Sequence, residues 1–371
     1  MHKGLKTILT IIGARPQWMK AAALSRVLSD TQWGIKERVL HTGQHYSHDM
    51  AGRFLSELDL PKADHLLNVS QDPAERMGQM MGGIMHAIEQ DQPDAVILYG
   101  DTDSTLAGAW AASRCGVPVV HIEAGLRSFD RSMPEEINRI LTDQLSSLLF
   151  CPSNAAVDQL TREGIVTGQR PELRVEVSGD LMLDTARHHG SEPLPLPADA
   201  DAVLLTMHRP ANVDDPHRLR GWIEAIGTQA SKRGWRVIFP VHPRTAKNLV
   251  IAYGPDWKNA DAFDSFELHA PAGYLDMLKW LGEVRQVWTD SGGLQKEAFF
   301  MHRPAVVLRD ATEWVELTDL GFACLCAEPM ALDACVETME EMPPAHWDKD
   351  LYGTGKAGVA IAKTLRLWLN R

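Results

Sequence analysis

The chain has 371 residues, 44% of them hydrophobic and 23% charged, which is the composition of an ordinary globular protein long enough for two domains. Its net charge of −12 excludes the basic stripe that a nucleic-acid surface needs, so any bound anion must be held by a local group of cations. No run of about eighteen apolar residues occurs, so no membrane span is expected. The five cysteines, an odd number without a CxxC pair, read as reduced thiols of a cytoplasmic protein.

Leu5–Ile12 is rich in Ile, Leu and Thr and predicts a strand. The opening stretch resembles a signal peptide only faintly: the apolar run is short and meets Arg15-Pro16, so a core strand is the better reading. Gly13–Pro16 breaks it, and Met19–Leu28 is helical in character. A strand, a glycine turn and a helix begin a βαβ unit whose helix N-terminus can receive an anion. Arg15 and Lys20 flank that turn and are candidate phosphate contacts. Arg38–Thr42 is a second strand, ending in Thr42-Gly43-Gln44-His45. His45, His48 and Asp49 have too loose a spacing for a metal site, and ligand contacts are expected there instead. Residues 73–90 predict a helix whose Met77, Met80, Met81 and Met85 fill core.

The densest stretch follows. Strand Ala95–Tyr99 ends at Asp101, strand Val117–Ile122 ends at Glu123, and a helix over Pro134–Phe150 opens with Glu135 and Glu136. Ile137, Ile140, Leu141, Leu145 and Leu148 recur as one buried helical face would. Ser132-Met133-Pro134-Glu135 also fits a capping box, so Glu135 either caps the helix or serves the site, and Glu136 could take either role. Arg139 lies about one turn further on. His121 and Glu123 share a strand face at i, i+2, half a metal site without a third ligand. Three acids from three loops can meet at one edge of a parallel sheet. Crowding there should raise at least one of their pKa values, so that one acid donates a proton while another accepts one.

Residues 191–202, SEPLPLPADADA, read as a linker. Beyond it, strand Ala202–Met207 ends in His208-Arg209, and strand Trp235–Pro240 ends in His242-Pro243-Arg244. Strand Gln286–Asp290 runs into Ser291-Gly292-Gly293 and a helix carrying Glu297. Two glycines at a helix start let the backbone approach a phosphate, and a carboxylate one turn in can accept from both hydroxyls of a ribose. There is no GxGxxG and no Walker loop, so a nucleoside diphosphate attached to another group fits better than a dinucleotide. The fold class is α/β: two Rossmann-like doubly wound domains facing a cleft, with ligand groups at strand C-terminal ends. The expected domains are 1–176 and 177–355, with the helix in 356–371 packing back on the first.

The ordered motifs IIGARPQWMK, TGQH, GDTDSTLAGAWAA, HIEAGLRS, MPEEINRILTD, SGD, HRPANVD, TDSGGLQKEA and RDATEWVEL resemble those of the non-hydrolysing UDP-N-acetylglucosamine 2-epimerases. The resemblance implies a glycosyltransferase-B-like fold, a homodimer, and anti elimination of UDP to a 2-acetamidoglucal followed by re-addition, without metal or NAD. It implies that Asp101, Glu123, Glu135 and His208 are catalytic. It places Arg15, Lys20, Arg139, Arg209, Ser291, Gly292, Gly293 and Glu297 around UDP. The family commonly has HRRE where this chain has His208-Arg209-Pro210-Ala211, and TERPE where it has Thr312-Glu313-Trp314-Val315-Glu316. The second departure, with MPEEINRILTD, is similar to the branch acting on UDP-2,3-diacetamido-2,3-dideoxy-glucuronate. Alternatives on the same fold are a glycosyltransferase with a nucleotide-sugar donor and a hydrolysing epimerase.

Overall fold

The computed structural model describes residues 5–44, 62–70, 72–190, 200–341, 347 and 350–371, with Arg15 described for its backbone alone. The chain forms two compact units, Met1–Thr185 with Asp350–Arg371, and Ala186–Lys349. The expected pair of doubly wound α/β units is present.

In the first unit the strands are β1 (Lys6–Ile12), β2 (Ile35–His41), β3 (His65–Leu66), β4 (Ala95–Tyr99), β5 (Val119–Ile122), β6 (Leu148–Cys151) and β7 (Arg174–Val177). Among the described residues they form one sheet in the order β3-β2-β1-β4-β5-β6-β7, every pairing parallel. Side chains alternate across a strand, so both faces must be apolar when helices cover both. Ile8, Ile12, Ile97, Tyr99 and Val120 pack on one face with helices Arg15–Leu28 and Ala357–Leu369. Leu9, Ile11, Val96, Leu98 and Val119 pack on the other with helices Pro73–Asp91 and Asp103–Arg114, and Met80 is wholly buried there, as core filler should be.

The terminal helix belongs to this first core. Ile361, Ala362 and Leu365 are fully buried, and Asp184 caps the helix start by accepting from Ala357 N (2.9 Å) and Gly358 N (2.8 Å). Val359, counted with the apolar face in the sequence, is instead half exposed. Thr185 Oγ1 donates to Met19 O (3.2 Å), which keeps helix Leu181–His188 largely with this unit and puts the division at 185/186 rather than at 176/177. Most of the expected linker, 191–199, lies outside the described residues.

The second unit has β8 (Ala202–Thr206), β9 (Arg236–Pro240), β10 (Phe266–His269), β11 (Gln286–Thr289), β12 (Ala305–Val307) and β13 (Ala323–Leu325), ordered β10-β9-β8-β11-β12-β13 and all parallel. Trp222 and Trp288 are fully buried at its centre, and each indole N–H finds an acceptor, Asn212 Oδ1 (3.2 Å) and Gln286 Oε1 (3.0 Å). All five cysteines are free.

One helix departs from expectation. It spans Pro134–Leu145, and β6 takes over at Leu148. Its buried face is polar: Glu136, Asn138, Arg139, Thr142 and Asp143, while Ile137 and Leu141 are exposed. The apolar spacing was real, but this helix packs through paired charges and hydrogen bonds, which satisfy polar groups inside as well as apolar contact does.

Candidate active site

In each unit the strand order reverses once, between β1 and β4 in the first and between β8 and β11 in the second. At such a switch point the loops of neighbouring strands run to opposite faces and leave a crevice for ligand at the strand C-terminal ends. The candidate residues collect at these two places.

In the first unit, Gly13 and Ala14 follow β1. Gln17 accepts from both of their N–H groups (2.7 and 3.0 Å) and donates to Tyr99 O (2.9 Å) and Thr105 Oγ1 (2.9 Å), so it stitches the β1 turn to the β4 loop. A Cβ on Gly13 would lie 2.0 Å from Ser104 Oγ and 2.3 Å from Thr42 Oγ1, so only glycine lets these loops meet. The side chain of Arg15, and His45, His48 and Asp49, lie outside the described residues.

β4 runs into Gly100, at φ +61°, and then Asp101. The Asp101 carboxylate is one-third exposed and pairs with Arg139 Nη2, while Asn138 Nδ2 donates to Asp101 O (2.9 Å). β5 runs into Glu123, at φ +71°, a left-handed conformation that a non-glycine residue adopts only when its surroundings impose it. Glu123 Oε2 pairs with Lys20 Nζ, both largely buried. The Glu123 carboxylate lies over Gly100: a Cβ there would stand 3.1 Å from Glu123 Oε2 and 3.5 Å from Lys20 Nζ. The Glu123 carboxylate is thus brought over the residue that precedes Asp101, and each of the two acids is set against its own cation, which offsets the repulsion expected between them.

The neighbouring glutamates separate cleanly. No side chain caps the helix at its N-cap, Met133, and Ser132 is committed to Asp130 Oδ1 through N (2.9 Å) and Oγ (2.7 Å), so the expected capping box does not form. Glu136 is buried and accepts from Ser128 N (2.9 Å), Ser128 Oγ (3.0 Å), Phe129 N (3.0 Å) and Arg139 Nη1 (2.9 Å). It fastens the preceding loop. Glu135 is half-buried and has no hydrogen bond or ion pair among the described residues, so its carboxylate is available for chemistry. Arg139, expected beside UDP, is buried between Asp101 and Glu136. His121 is no half metal site, since both its ring nitrogens are taken by Asp143 Oδ1 (2.7 Å) and Gly100 O (2.8 Å).

In the second unit, His208 and Arg209 follow β8, and Asp290 to Gly293 follow β11. Asp290 is fully buried. It accepts from His208 N (2.9 Å), Arg209 N (2.8 Å) and Asn212 Nδ2 (3.2 Å), and stands 3.3 Å from His208 Nδ1. Arg209 Nε donates to Asp290 O (3.0 Å), which anchors that guanidinium. His242 lies 5.4 Å from His208, centroid to centroid, and its pKa is lowered by burial and by the charge of His208. Ser291 precedes helix Gly292–Phe300 without a side-chain cap, so the first N–H groups face outward from the strand end. A Cβ on Gly292 would lie 2.2 Å from Glu313 Oε1, while Gly293 faces open space. Glu297 is buried one turn in, Lys296 Nζ sits 4.0 Å over the Trp314 ring, and Arg309 pairs with Glu313 (3.0 Å).

Asp290, Gln17, Asn138 and Asp143 were not singled out from the sequence. Asp290 alone carried a signal, an acid between an apolar strand and Ser-Gly-Gly.

The sequence profile of the UDP-N-acetylglucosamine 2-epimerase family matches residues 28–366. The chain belongs to that family. It is similar to the UDP-2,3-diacetamido-2,3-dideoxy-D-glucuronate 2-epimerase of Pseudomonas aeruginosa, 41% identical over 96% of this chain and 99% of that protein. The structure is similar to that of the Methanocaldococcus jannaschii UDP-GlcNAc 2-epimerase in complex with UDP-GlcNAc and UDP, with a TM-score of 0.86, 35% identity, and 97% and 99% of the two chains covered. It is also similar to the Neisseria meningitidis UDP-GlcNAc 2-epimerase bound to UDP-GlcNAc, with a TM-score of 0.81, 27% identity, and 97% and 99% covered. As a 2-epimerase family member the chain is an isomerase, and among its described residues no helix is long and apolar enough to cross a membrane.

Proposed function

We propose that the protein inverts C2 of a UDP-2-acetamido sugar without hydrolysing it. The observation that carries this is the pairing at the first switch point: Asp101 and Glu123 are each set against a cation, with Glu135 unpartnered nearby in sequence. One carboxylate removes the C2 proton as the C1–O bond breaks and UDP leaves, giving the 2-acetamidoglucal. UDP then adds back to C1 while another group protonates C2 from the opposite face. Elimination and re-addition leave the sugar at its starting oxidation level, so the scheme needs no hydride acceptor. The C2–H bond is not activated by a carbonyl, so stabilising the departing diphosphate must contribute heavily to lowering the barrier. Arg15, Lys20, Arg209, the Ser291 hydroxyl and the N–H groups of Gly292 and Gly293 are assigned to that task, with Arg139 holding Asp101. Glu297 is assigned to the ribose, and His208, oriented by Asp290, is a further proton-transfer group.

The sugar is UDP-N-acetylglucosamine, in exchange with UDP-N-acetylmannosamine, or its diacetamido-uronate counterpart. The 41% identity with the P. aeruginosa enzyme favours the second. The free cysteines support a reducing, cytoplasmic location. Trp110, Ile137 and Leu141, exposed on two packed helices, support a homodimer.

Incubation with each UDP-sugar in D2O, followed by NMR, tests the reading. Epimerisation puts deuterium at C2 and two UDP-sugars at equilibrium. Free sugar accumulating with UDP would show a hydrolase, and turnover only with an added acceptor would show a glycosyltransferase.

A further inference from the structure

His121 is fully buried on β5, and both of its ring nitrogens face acceptors. Nε2 lies 2.8 Å from the carbonyl oxygen of Gly100, which can only accept. Nδ1 lies 2.7 Å from Asp143 Oδ1. Asp143 is fully buried; burial alone would raise its pKa, but hydrogen bonds and charge from His121 and Arg127 overturn this and hold it below the usual carboxylate range. An ionised Asp143 also only accepts. A ring that carries a hydrogen on each nitrogen satisfies both contacts, which a neutral ring cannot do.

The surroundings agree. Arg127 Nη1 pairs with Asp143 Oδ2 (2.8 Å) and Arg127 Nη2 with Glu163 Oε2 (2.7 Å), so the chain His121–Asp143–Arg127–Glu163 alternates in sign and is neutral overall only if His121 is charged. Gly125 N donates to Asp143 Oδ2 (3.2 Å), and the Cys151 thiol, beside Asp143, is pushed far above its ordinary range, first by burial and then by that carboxylate.

This ring joins three elements: the loop after β4, strand β5 itself, and helix Pro134–Leu145. Gly100 is the residue before Asp101, and Glu123 follows His121 by two. We propose that His121 is a positioning residue, a buried imidazolium that ties the Gly100 peptide to Asp143 and so fixes Asp101 against Glu123. Its effect on turnover rests on the epimerase reading of those two acids; its protonation does not.

Two measurements test it. In wild-type protein carrying 15N-histidine, both His121 nitrogens are expected to bear protons at neutral pH, as the two acceptors that face them require. A bare ring nitrogen there overturns the proposal. In the D2O assay, His121→Gln and Asp143→Asn are each expected to lower kcat on the order of 100-fold, with KM and UDP affinity near wild type, because the binding groups stay in place while the acids shift. The double variant is expected to be no worse than either single. Wild-type kcat in either single variant overturns the proposal. The NMR arm needs no variant to fold. A wild-type protein that turns over no UDP-sugar while both nitrogens are protonated would bring down the reaction, not the imidazolium.

Discussion

The carboxylate of Asp290 stands 3.3 Å from Nδ1 of His208 and accepts from that residue's own backbone N–H. The arrangement aims the ring and favours a proton on Nδ1, leaving Nε2 to accept or deliver one. Asp290→Asn keeps the shape and loses the tautomer preference. The expected result is a fall in kcat on the order of 100-fold or more with UDP affinity retained, read by C2 exchange in D2O and by calorimetric titration with UDP. Unchanged exchange would remove His208 from proton transfer.

Glu135 and Glu136 are expected to respond in opposite ways. Glu135→Gln should abolish C2 exchange and leave thermal stability near wild type, because that carboxylate holds nothing. Glu136→Gln should cost about 1–3 kcal/mol, because an amide cannot accept from all of Ser128, Phe129 and Arg139. Melting curves and exchange rates on the two variants decide the assignment.

Gly100→Ala places a methyl against Glu123 Oε2 and asks an alanine to hold φ +61°. The strain is roughly 1–2 kcal/mol. The larger consequence is displacement of the carboxylate, so exchange should fall by at least about tenfold. A variant as active as wild type would show that the contact is dispensable.

Acid stability carries a signature of its own. Burial pulls the pKa of His41 from the ordinary 6.5 to about 4. The folded ring stays neutral where the unfolded one protonates, so between about pH 6.5 and about pH 4 the unfolded chain binds more protons and stability falls as pH falls. The full span is worth about 3 kcal/mol. Urea midpoints measured across this window should slope less in His41→Gln than in wild type, and equal slopes would refute the assignment.

The positions of Asp101, Glu123, His208 and Ser291 were legible because each follows an apolar strand, and a strand of a parallel sheet ends where ligands bind. What those side chains touch was not legible. The spacing of Ser132 and Glu135 matches a capping box, yet Ser132 turned to Asp130, a local competition that spacing cannot register. Ile137 and Leu141 carried the helical period, but helix Pro134–Leu145 buries its charges, since Arg139 and Asp143 find partners from distant loops. Periodicity reports which residues prefer to be inside, and a polar face completed by residues far away in sequence gives no such signal.

The helix Ala357–Leu369 that closes the first core is made only after all of Ala186–Lys349. On the ribosome the second unit is therefore a continuous segment that can fold as it emerges, whereas the first waits with the surface beside Ala21, Leu24 and Leu28 uncovered until that helix arrives. A chain released before Ala357 would carry a folded second unit joined to a first unit with an open apolar face, a species marked for aggregation or proteolysis.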